Sequence, residues 1–277
     1  MHRDKSKKFP PFIYGTAWKE ERTAELVKKA VTAGFTGIDT ANQPRHYQEH
    51  LVGKALTELA GEGIARESLF IQTKFTPANG QDQRIPYDPS ADLTTQVRQS
   101  FESSLRNLQT DYVDCYLLHG PYSHPGLGEE DWEVWSAIVG LYQSGKAKCI
   151  GISNVNSEQL KLLSEKAEIK PMVVQNRCFA ALGWDREVRS FCNASGIVYE
   201  GFSLLTANPF VMQNPRVQQI AEELGKTPEQ VVFRFSIQAG ILPLTGTTNE
   251  QHMKEDLQVT DFELKSDDVK LIESLTV

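Results

Sequence analysis

Eight short runs rich in β-branched and aromatic residues recur along the chain, and a longer amphipathic segment separates each run from the next. The runs have the length of strands, and the segments between them follow the 3.6-residue period of helices. The predicted strands span residues 12–16, 36–39, 69–74, 112–119, 147–153, 172–175, 197–201 and 241–245. Strict alternation of strand and helix predicts parallel strands joined by right-handed crossovers.

The same pattern predicts the helices and the way the sheet closes. Helices are expected at 21–33, 51–59, 93–108, 131–143, 157–166 and 186–194, and another begins at Thr227-Pro228. Eight such units in about 250 residues favour an α/β fold of the (β/α)8 TIM-barrel type over an open doubly wound sheet. Additional helices are predicted at 216–224 and, near the C-terminus, at 266–275. Because no linker or composition break interrupts the pattern, we expect residues 1–277 to form a single barrel domain.

The distribution of charge and apolar residues excludes several classes of partner. The formal charge of -7 arises from 29 basic and 36 acidic residues without long like-charge runs, so no nucleic acid partner is expected. No window approaches the roughly 18–20 apolar residues that span a bilayer, and the basic N-terminus lacks a secretory apolar run. We therefore expect a cytoplasmic protein that does not contact a membrane. The four cysteines form no C-x-x-C pair and are predicted to be buried small hydrophobic residues.

Polar residues close three consecutive predicted strands. Asp39 ends the second, Lys74 the third and His119 the fourth, while Tyr47 follows Asp39 in the connecting loop. Active sites of such barrels lie at the carboxyl ends of the strands, and neighbouring strands are only about 5 Å apart. A carboxylate beside a buried lysine keeps the lysine charged, and a nearby ammonium favours ionisation of a tyrosine. With a histidine to orient a substrate oxygen, the four residues predict a proton-donating site for a developing alkoxide.

The simpler alternative is that these residues are structural. A single acid, lysine or histidine at a strand end often is, but four on consecutive units make that explanation poor. Tyr112 and Tyr116 lie within an apolar run and are interpreted as packing residues.

Seven fragments of the chain make it resemble the aldo-keto reductases over nearly its whole length. The fragments are Gly15-Thr16, 37–41, Tyr47 with Val52-Gly53, Thr73-Lys74, 111–119, 151–154 and Gln175-Asn176. The resemblance implies an NAD(P)H-dependent oxidoreductase that passes hydride to the carbonyl carbon of a small aldehyde or ketone. Tyr47 would be the general acid for reduction and the base for the reverse reaction. Lys74 would lower its pKa, Asp39 would pair with Lys74, and His119 would orient the carbonyl. Monomers are common among such relatives.

The resemblance also implies which residues bind the nicotinamide cofactor, NADP(H) or NAD(H). Ser153, Asn154 and Gln175 would contact the carboxamide. Phe202 would stack on the nicotinamide ring, or else is a core aromatic at a strand end. The remaining expected contacts are Gly15, Thr16, Asp39, Ser203, Leu205, Thr245, Gly246, Thr247, Thr248, His252, Glu255 and Asp256.

Two departures from the family pattern concern the catalytic tyrosine and the cofactor phosphate. Asp39 and Tyr47 are eight positions apart, where five are usual, so the spacer either re-aims Tyr47 or brings His46 beside the substrate. After the eighth strand, Thr245 to Thr248 replace a usual lysine, and His252 replaces an arginine. The backbone N–H groups near Asn249 remain available to a phosphate. We expect a weakened preference for NADP over NAD.

A third departure lies at the C-terminus, where the segment that closes over the substrate in many members is almost absent. The pocket is therefore expected to be open and permissive. Trp18, Phe75 and the loop 121–132 would shape it, although these aromatics are equally consistent with packing at the barrel rim.

Three other functions are alternatives to carbonyl reduction. A catalytically weak or inactive nucleotide-binding barrel is the main alternative, but the presence of all four chemical residues argues against it. A metal-dependent hydrolase would need a His-x-His pair or a carboxylate cluster, whereas His119 and His124 have weak metal spacing. A Rossmann dehydrogenase is disfavoured because no G-x-G-x-x-G follows the first strand.

Overall fold

Eight parallel strands close into a barrel in which each strand pairs with its neighbours in chain order and β8 pairs with β1. The computed structural model describes residues 9–276. The strands are β1 Ile13–Gly15, β2 Gly37–Asp39, β3 Phe70–Phe75, β4 Cys115–Leu118, β5 Ile150–Ser153, β6 Val173–Arg177, β7 Val198–Phe202 and β8 Ile241–Thr245. The predicted (β/α)8 barrel is confirmed. The fourth strand is shorter than predicted, since residues 112–114 and 119 lie outside it.

The helices surround this barrel and connect its strands. They are α1 Thr23–Ala33, α2 Glu49–Gly61, α3 Leu93–Leu108, α4 Glu129–Gln143, α5 Ser157–Lys166, α6 Arg186–Ser195, α7 Pro209–Met212, α8 Pro215–Leu224, α9 Pro228–Gln238, α10 Glu250–Leu257 and α11 Ser266–Ser274. The predictions for α3 and α5 match to the residue, whereas the short α7 was not predicted. In the described part of the chain, no helix is long and apolar enough to cross a membrane.

The two-residue period of a strand divides β3 between the barrel interior and the helices. Phe70, Gln72 and Lys74 share the inner side, whereas Thr73 and Phe75 face outward. The Thr73 hydroxyl accordingly bonds the Glu49 carboxylate on α2 at 2.5 Å. The site lysine and the core aromatic next to it therefore occupy opposite faces of one strand.

An apolar plug fills the part of the barrel interior farthest from the carboxyl ends of the strands. It consists of the buried side chains Phe70, Cys115, Leu117, Cys149 and Val173. All four cysteines of the chain are buried free thiols, as predicted. The polar inner side chains thus lie nearer the carboxyl ends of the strands than this apolar cluster does, and a site can form above it.

Gly53 allows α2 to approach α3 more closely than any larger residue would. A Cβ atom built on Gly53 would lie 1.9 Å from the carbonyl oxygen of Asn107, which is backbone and cannot swing away. The Val52-Gly53 fragment is therefore required for helix packing.

Replacing Gly53 with alanine should destabilise the fold by about 2–3 kcal/mol, because relief of the clash requires a helix to move. Urea unfolding followed by circular dichroism measures the change. Gly140→Ala is the matched control: Gly140 lies inside α4 with no atom within 4 Å of its added Cβ. That variant should gain about 0.5–1 kcal/mol from helix propensity. Equal stability of Gly53→Ala and the parent would contradict the packing argument.

Candidate active site

A cavity of about 730 Å³ opens at the carboxyl ends of the strands. Three of the four predicted chemical residues, Asp39, Tyr47 and His119, line it. The fourth, Lys74, lies beneath the cavity and is fully buried. The structure thus brings together the ends of β2, β3 and β4 as the sequence predicted.

Lys74 and Asp39 form a buried ion pair. The Lys74 Nζ lies 2.7 Å from each Asp39 carboxylate oxygen and 2.9 Å from the Thr40 carbonyl oxygen. Burial alone would lower the pKa of Lys74, but the charge of Asp39 and its hydrogen bonds to the ammonium outweigh burial and raise that pKa. The ammonium is therefore charged at neutral pH, and its hydrogen bonds go to Asp39 and Thr40.

Tyr47 stands over this ammonium. The Lys74 Nζ is 5.4 Å from the centre of the Tyr47 ring. Burial raises the pKa of Tyr47, while the charge of Lys74 acts in the opposite direction. The phenol is therefore protonated at neutral pH and carries a proton that it can donate.

His119 faces Tyr47 across the cavity, with 6.1 Å between their ring centres. Its Nδ1 lies 2.6 Å from the Thr76 hydroxyl. Burial, together with the charge of Lys74, holds the pKa of His119 well below its usual range. The imidazole is therefore neutral, and Nε2 is the ring nitrogen left for a ligand. Thr76 was not predicted, although its position two residues after Lys74 places it on the same side of the chain.

The long spacer between Asp39 and Tyr47 is folded into a turn. The Gln43 carbonyl oxygen accepts hydrogen bonds from the N–H groups of both His46 and Tyr47 at 3.0 Å. The Gln43 amide donates to the Gly80 carbonyl oxygen at 2.6 Å, which ties the turn to the loop after β3. The additional residues of the spacer thus form a local turn, and Tyr47 still lines the cavity.

His46 and Trp18 form one wall of the cavity. Their rings lie 4.1 Å apart, and the Nδ1 of His46 is 2.9 Å from the side-chain oxygen of Gln43. Burial and the charge of Arg45 lower the pKa of His46, so its ring is neutral at physiological pH. The spacer therefore both aims Tyr47 and brings His46 to the cavity.

The predicted pocket shape needs two corrections. Phe75 does not line the cavity, because it points outward from β3 and packs 5.5 Å from the Tyr87 ring. Of the loop 121–132, only Pro121 is among the lining residues within the described chain. Trp18 does line the cavity and is 68% exposed, so it is free to contact a ligand.

Two amide oxygens are presented to the cavity at the ends of β5 and β6. The Gln175 Nε2 donates inward to Asp39 Oδ1 at 3.0 Å and to Glu200 Oε2 at 2.9 Å, which leaves its Oε1 for a ligand. The Asn154 Nδ2 donates to the His119 carbonyl oxygen at 2.7 Å and to the Ser153 hydroxyl at 3.2 Å. Its Oδ1 is likewise left as an acceptor, so this region suits a ligand that carries an N–H₂ group.

Phe202 offers a ring at the end of β7. It is half-buried and lines the cavity, so its ring is accessible to a planar ligand. The guanidinium of Arg177, the last residue of β6, lies 5.4 Å from the ring centre. Arg177 also lines the cavity and was not predicted.

Most of the other predicted cofactor contacts lie around the same cavity. Those that line it are Gly15, Ser153, Ser203, Leu205, Thr245, Gly246, Thr247 and His252. Four predicted contacts, Thr16, Thr248, Glu255 and Asp256, are not among its lining residues.

The structure shows where two of these four residues lie. Thr16 is fully buried and donates to the Asp39 carbonyl oxygen at 2.9 Å. Asp256 lies on the buried face of α10 and bonds the Thr245 side chain; burial raises the pKa of Asp256 to about 7. Both residues therefore hydrogen-bond to residues that line the cavity, Asp39 and Thr245.

The region predicted for phosphate contains a cation, Lys19, that is not among the predicted contacts. Lys19 lines the cavity, and its Nζ donates to the Gly246 carbonyl oxygen, which joins the loop after β1 to the loop after β8. Its nearness to Gly15-Thr16 was the available signal. The Asn249 side chain accepts from the N–H groups of Gln251 and His252, so these two donors are already paired.

Comparisons with known proteins show the family to which the chain belongs. The family described as "Aldo/keto reductase family" matches residues 12–277. A glyoxal reductase from Bacillus subtilis is 34% identical over 91% of this chain and 82% of its own length. A prostaglandin-E(2) 9-reductase from Oryctolagus cuniculus is 30% identical over 96% of this chain and 88% of its own.

Solved structures show the same similarity. An aldo-keto reductase from a Medee basin deep-sea metagenome library superposes with a TM-score of 0.84 at 27% identity, covering 99% of this chain and 93% of that one. An aldo/keto reductase from Brucella melitensis superposes with a TM-score of 0.81 at 27% identity, covering 98% and 96%.

Removing only the ammonium of the buried pair should be costly. Lys74→Met leaves the Asp39 carboxylate buried without its cation, and we expect a loss of about 3 kcal/mol in unfolding free energy. The double variant Asp39→Asn/Lys74→Met removes both charges and should lose less than Lys74→Met alone. Asp39→Asn completes the cycle, and urea unfolding of the parent and the three variants tests this coupling. Strictly additive effects would show that the pair contributes no buried electrostatic interaction.

Proposed function

The chain belongs to the aldo/keto reductase family, and from that premise we propose that it is an NAD(P)H-dependent oxidoreductase that reduces an aldehyde or ketone to an alcohol. The observation that carries the proposal is the position of the Lys74 ammonium. It is fixed by Asp39 beneath a protonated Tyr47, and a neutral His119 stands opposite. Such an arrangement stabilises the phenolate that remains after a proton is given away.

The residues around the cavity fit a nicotinamide dinucleotide. The free amide oxygens of Gln175 and Asn154 match the N–H₂ of a carboxamide, and Phe202 offers a flat ring for stacking. Lys19, which lines the same cavity, would supply positive charge to the phosphate groups of the cofactor. When bound, the reduced nicotinamide supplies the hydride.

The chain itself handles the proton and the carbonyl oxygen. The His119 Nε2 holds the carbonyl oxygen by a hydrogen bond, and Tyr47 donates its phenolic proton to that oxygen as negative charge develops on it. Lys74 stabilises the resulting phenolate, and Asp39 keeps Lys74 charged. In the reverse direction the Tyr47 phenolate accepts the alcohol proton.

The substrate site lies between Tyr47 and His119 on one side and Trp18 and His46 on the other. This wall is largely aromatic and exposed, which suits small carbonyl compounds of varied shape. Relatives named for glyoxal and prostaglandin reduction support the general class of substrate. For the cofactor we propose NADP(H), the cofactor typical of the family, with NAD(H) also accepted because threonines replace the usual phosphate-binding cations after β8.

Tyr47→Phe should lower kcat for aldehyde reduction by at least about 100-fold, because it removes the proton donor and keeps the ring. The loss of absorbance at 340 nm with glyoxal or benzaldehyde measures turnover with each nicotinamide. Tyr116→Phe removes the hydroxyl of a buried tyrosine outside the cavity and should turn over at the parental rate. A parental rate in Tyr47→Phe would refute the assignment of the acid. Cofactor binding without turnover in the parent would instead indicate an inactive nucleotide-binding barrel.

Thr76→Val should lower kcat/KM by about tenfold, because the His119 Nδ1 loses the bond that selects its tautomer and orients its ring. Thr76→Ser keeps the hydroxyl and should recover most of the parental value. Steady-state kinetics with the same aldehydes test both variants. A parental kcat/KM in Thr76→Val would show that the hydrogen bond to His119 does not contribute.

A further inference from the structure

Two glutamine amides join two buried carboxyl groups across the centre of the barrel. The Gln72 Nε2 donates to Asp39 Oδ1 at 2.9 Å and to Glu200 Oε2 at 2.7 Å. The Gln175 Nε2 makes the same pair of contacts at 3.0 and 2.9 Å. These four residues lie on β2, β3, β6 and β7, so the network spans the barrel directly below the cavity.

Glu200 is fully buried, yet one of its oxygens has no protein partner. Within residues 9–276, neither Glu200 Oε1 nor Gln72 Oε1 accepts a hydrogen bond. A buried network with two unsatisfied acceptors lacks a donor, and a proton on the Glu200 carboxyl would supply one. Burial and the nearby Asp39 raise the pKa of Glu200, while bonds from Gln72 and Gln175 lower it, and it settles at about 7. The carboxyl therefore changes its charge near physiological pH.

The charged and titratable groups that face Glu200 come from three strands. They are Asp39 on β2, Lys74 on β3 and the Cys115 thiol on β4. Burial raises the pKa of Cys115 well above its usual range, so the thiol stays neutral. Lys74 is thus the cation shared between Asp39 and an ionised Glu200, and Tyr47 depends on the same ammonium.

We propose that Glu200 is a positioning residue that acts on Tyr47 through Asp39 and Lys74, and on the cofactor carboxamide through Gln175. The inference rests on the proposed function. Glu200 contacts neither substrate nor reacting atoms, and its influence is carried by charge and by the orientation of one amide.

The two routes predict separable effects. An ionised Glu200 adds negative charge near Lys74 and makes the Tyr47 phenolate less favourable; a neutral side chain at this position eases ionisation of Tyr47. Glu200→Gln removes the charge but keeps an oxygen acceptor for Gln175. Glu200→Leu removes the acceptor as well, so the Gln175 amide loses one of its two anchors.

The charge route is tested by the pH dependence of alcohol oxidation, in which Tyr47 must be ionised. With benzyl alcohol and NADP⁺ as probes, the apparent pKa of kcat should be about one unit lower in Glu200→Gln than in the parent. Asp185→Asn is the control: Asp185 is a half-buried carboxyl bonded to Asn176 and Tyr199, and it is not among the residues that line the cavity. Its φ of 53° suits asparagine, and its pH profile should match the parent.

The positioning route is tested by cofactor binding, followed through fluorescence quenching on addition of NADPH. The Kd should rise about tenfold in Glu200→Leu and stay within about threefold of the parent in Glu200→Gln. Thermal melting identifies a Glu200→Leu protein that fails to fold, in which case the pH profile of Glu200→Gln decides whether the inference holds.

Superimposable pH profiles of the parent and Glu200→Gln would overturn the inference while leaving the proposed function intact. A parent that neither binds nor turns over a nicotinamide would refute both.

Discussion

The buried ion pair between Lys74 and Asp39 is the interaction on which the site depends. Taking an ammonium out of water costs several kcal/mol, and close contacts with a carboxylate and a backbone carbonyl oxygen offset that cost. The pairing requires β2 and β3 to be neighbours with both side chains facing inward, which the closed parallel barrel provides. The field of this ammonium then acts on Tyr47, His119 and Glu200 alike.

The barrel interior is divided into two levels, and this division makes the charged level tolerable. An apolar plug lies at the base, and a layer of glutamines and carboxyl groups lies above it, where nearly every polar atom has a partner. Low surrounding polarity strengthens each of these interactions and makes each missing partner costly. The two unpartnered oxygens of Gln72 and Glu200 stand out for that reason.

Much of the fold and part of the site were predictable from local patterns. Strand and helix periods predicted the barrel, and polar residues that close apolar runs predicted Asp39, Lys74 and His119. The sequence left open whether Phe75 lines the pocket or packs at the barrel rim; it points away from Lys74 because a strand turns adjacent side chains to opposite faces. Glu200 was overlooked although it interrupts an apolar run, since a single acid within a strand gives no indication of what it faces. Lys19 was overlooked because only the closed barrel brings the loop after β1 against the loop after β8.

The sequence by itself determined the alternation of elements, the parallel barrel and the set of side chains at its carboxyl ends, because these follow from periods and spacings among near neighbours. The tertiary structure decided the protonation states, the turn that aims Tyr47 and the network that joins Asp39 to Glu200. Lys74 and Asp39 are 35 positions apart in the chain, and Gln175 and Asp39 are 136 apart. Distances, burial and charge between such residues exist only once the barrel has closed, and these quantities set the chemistry of the site.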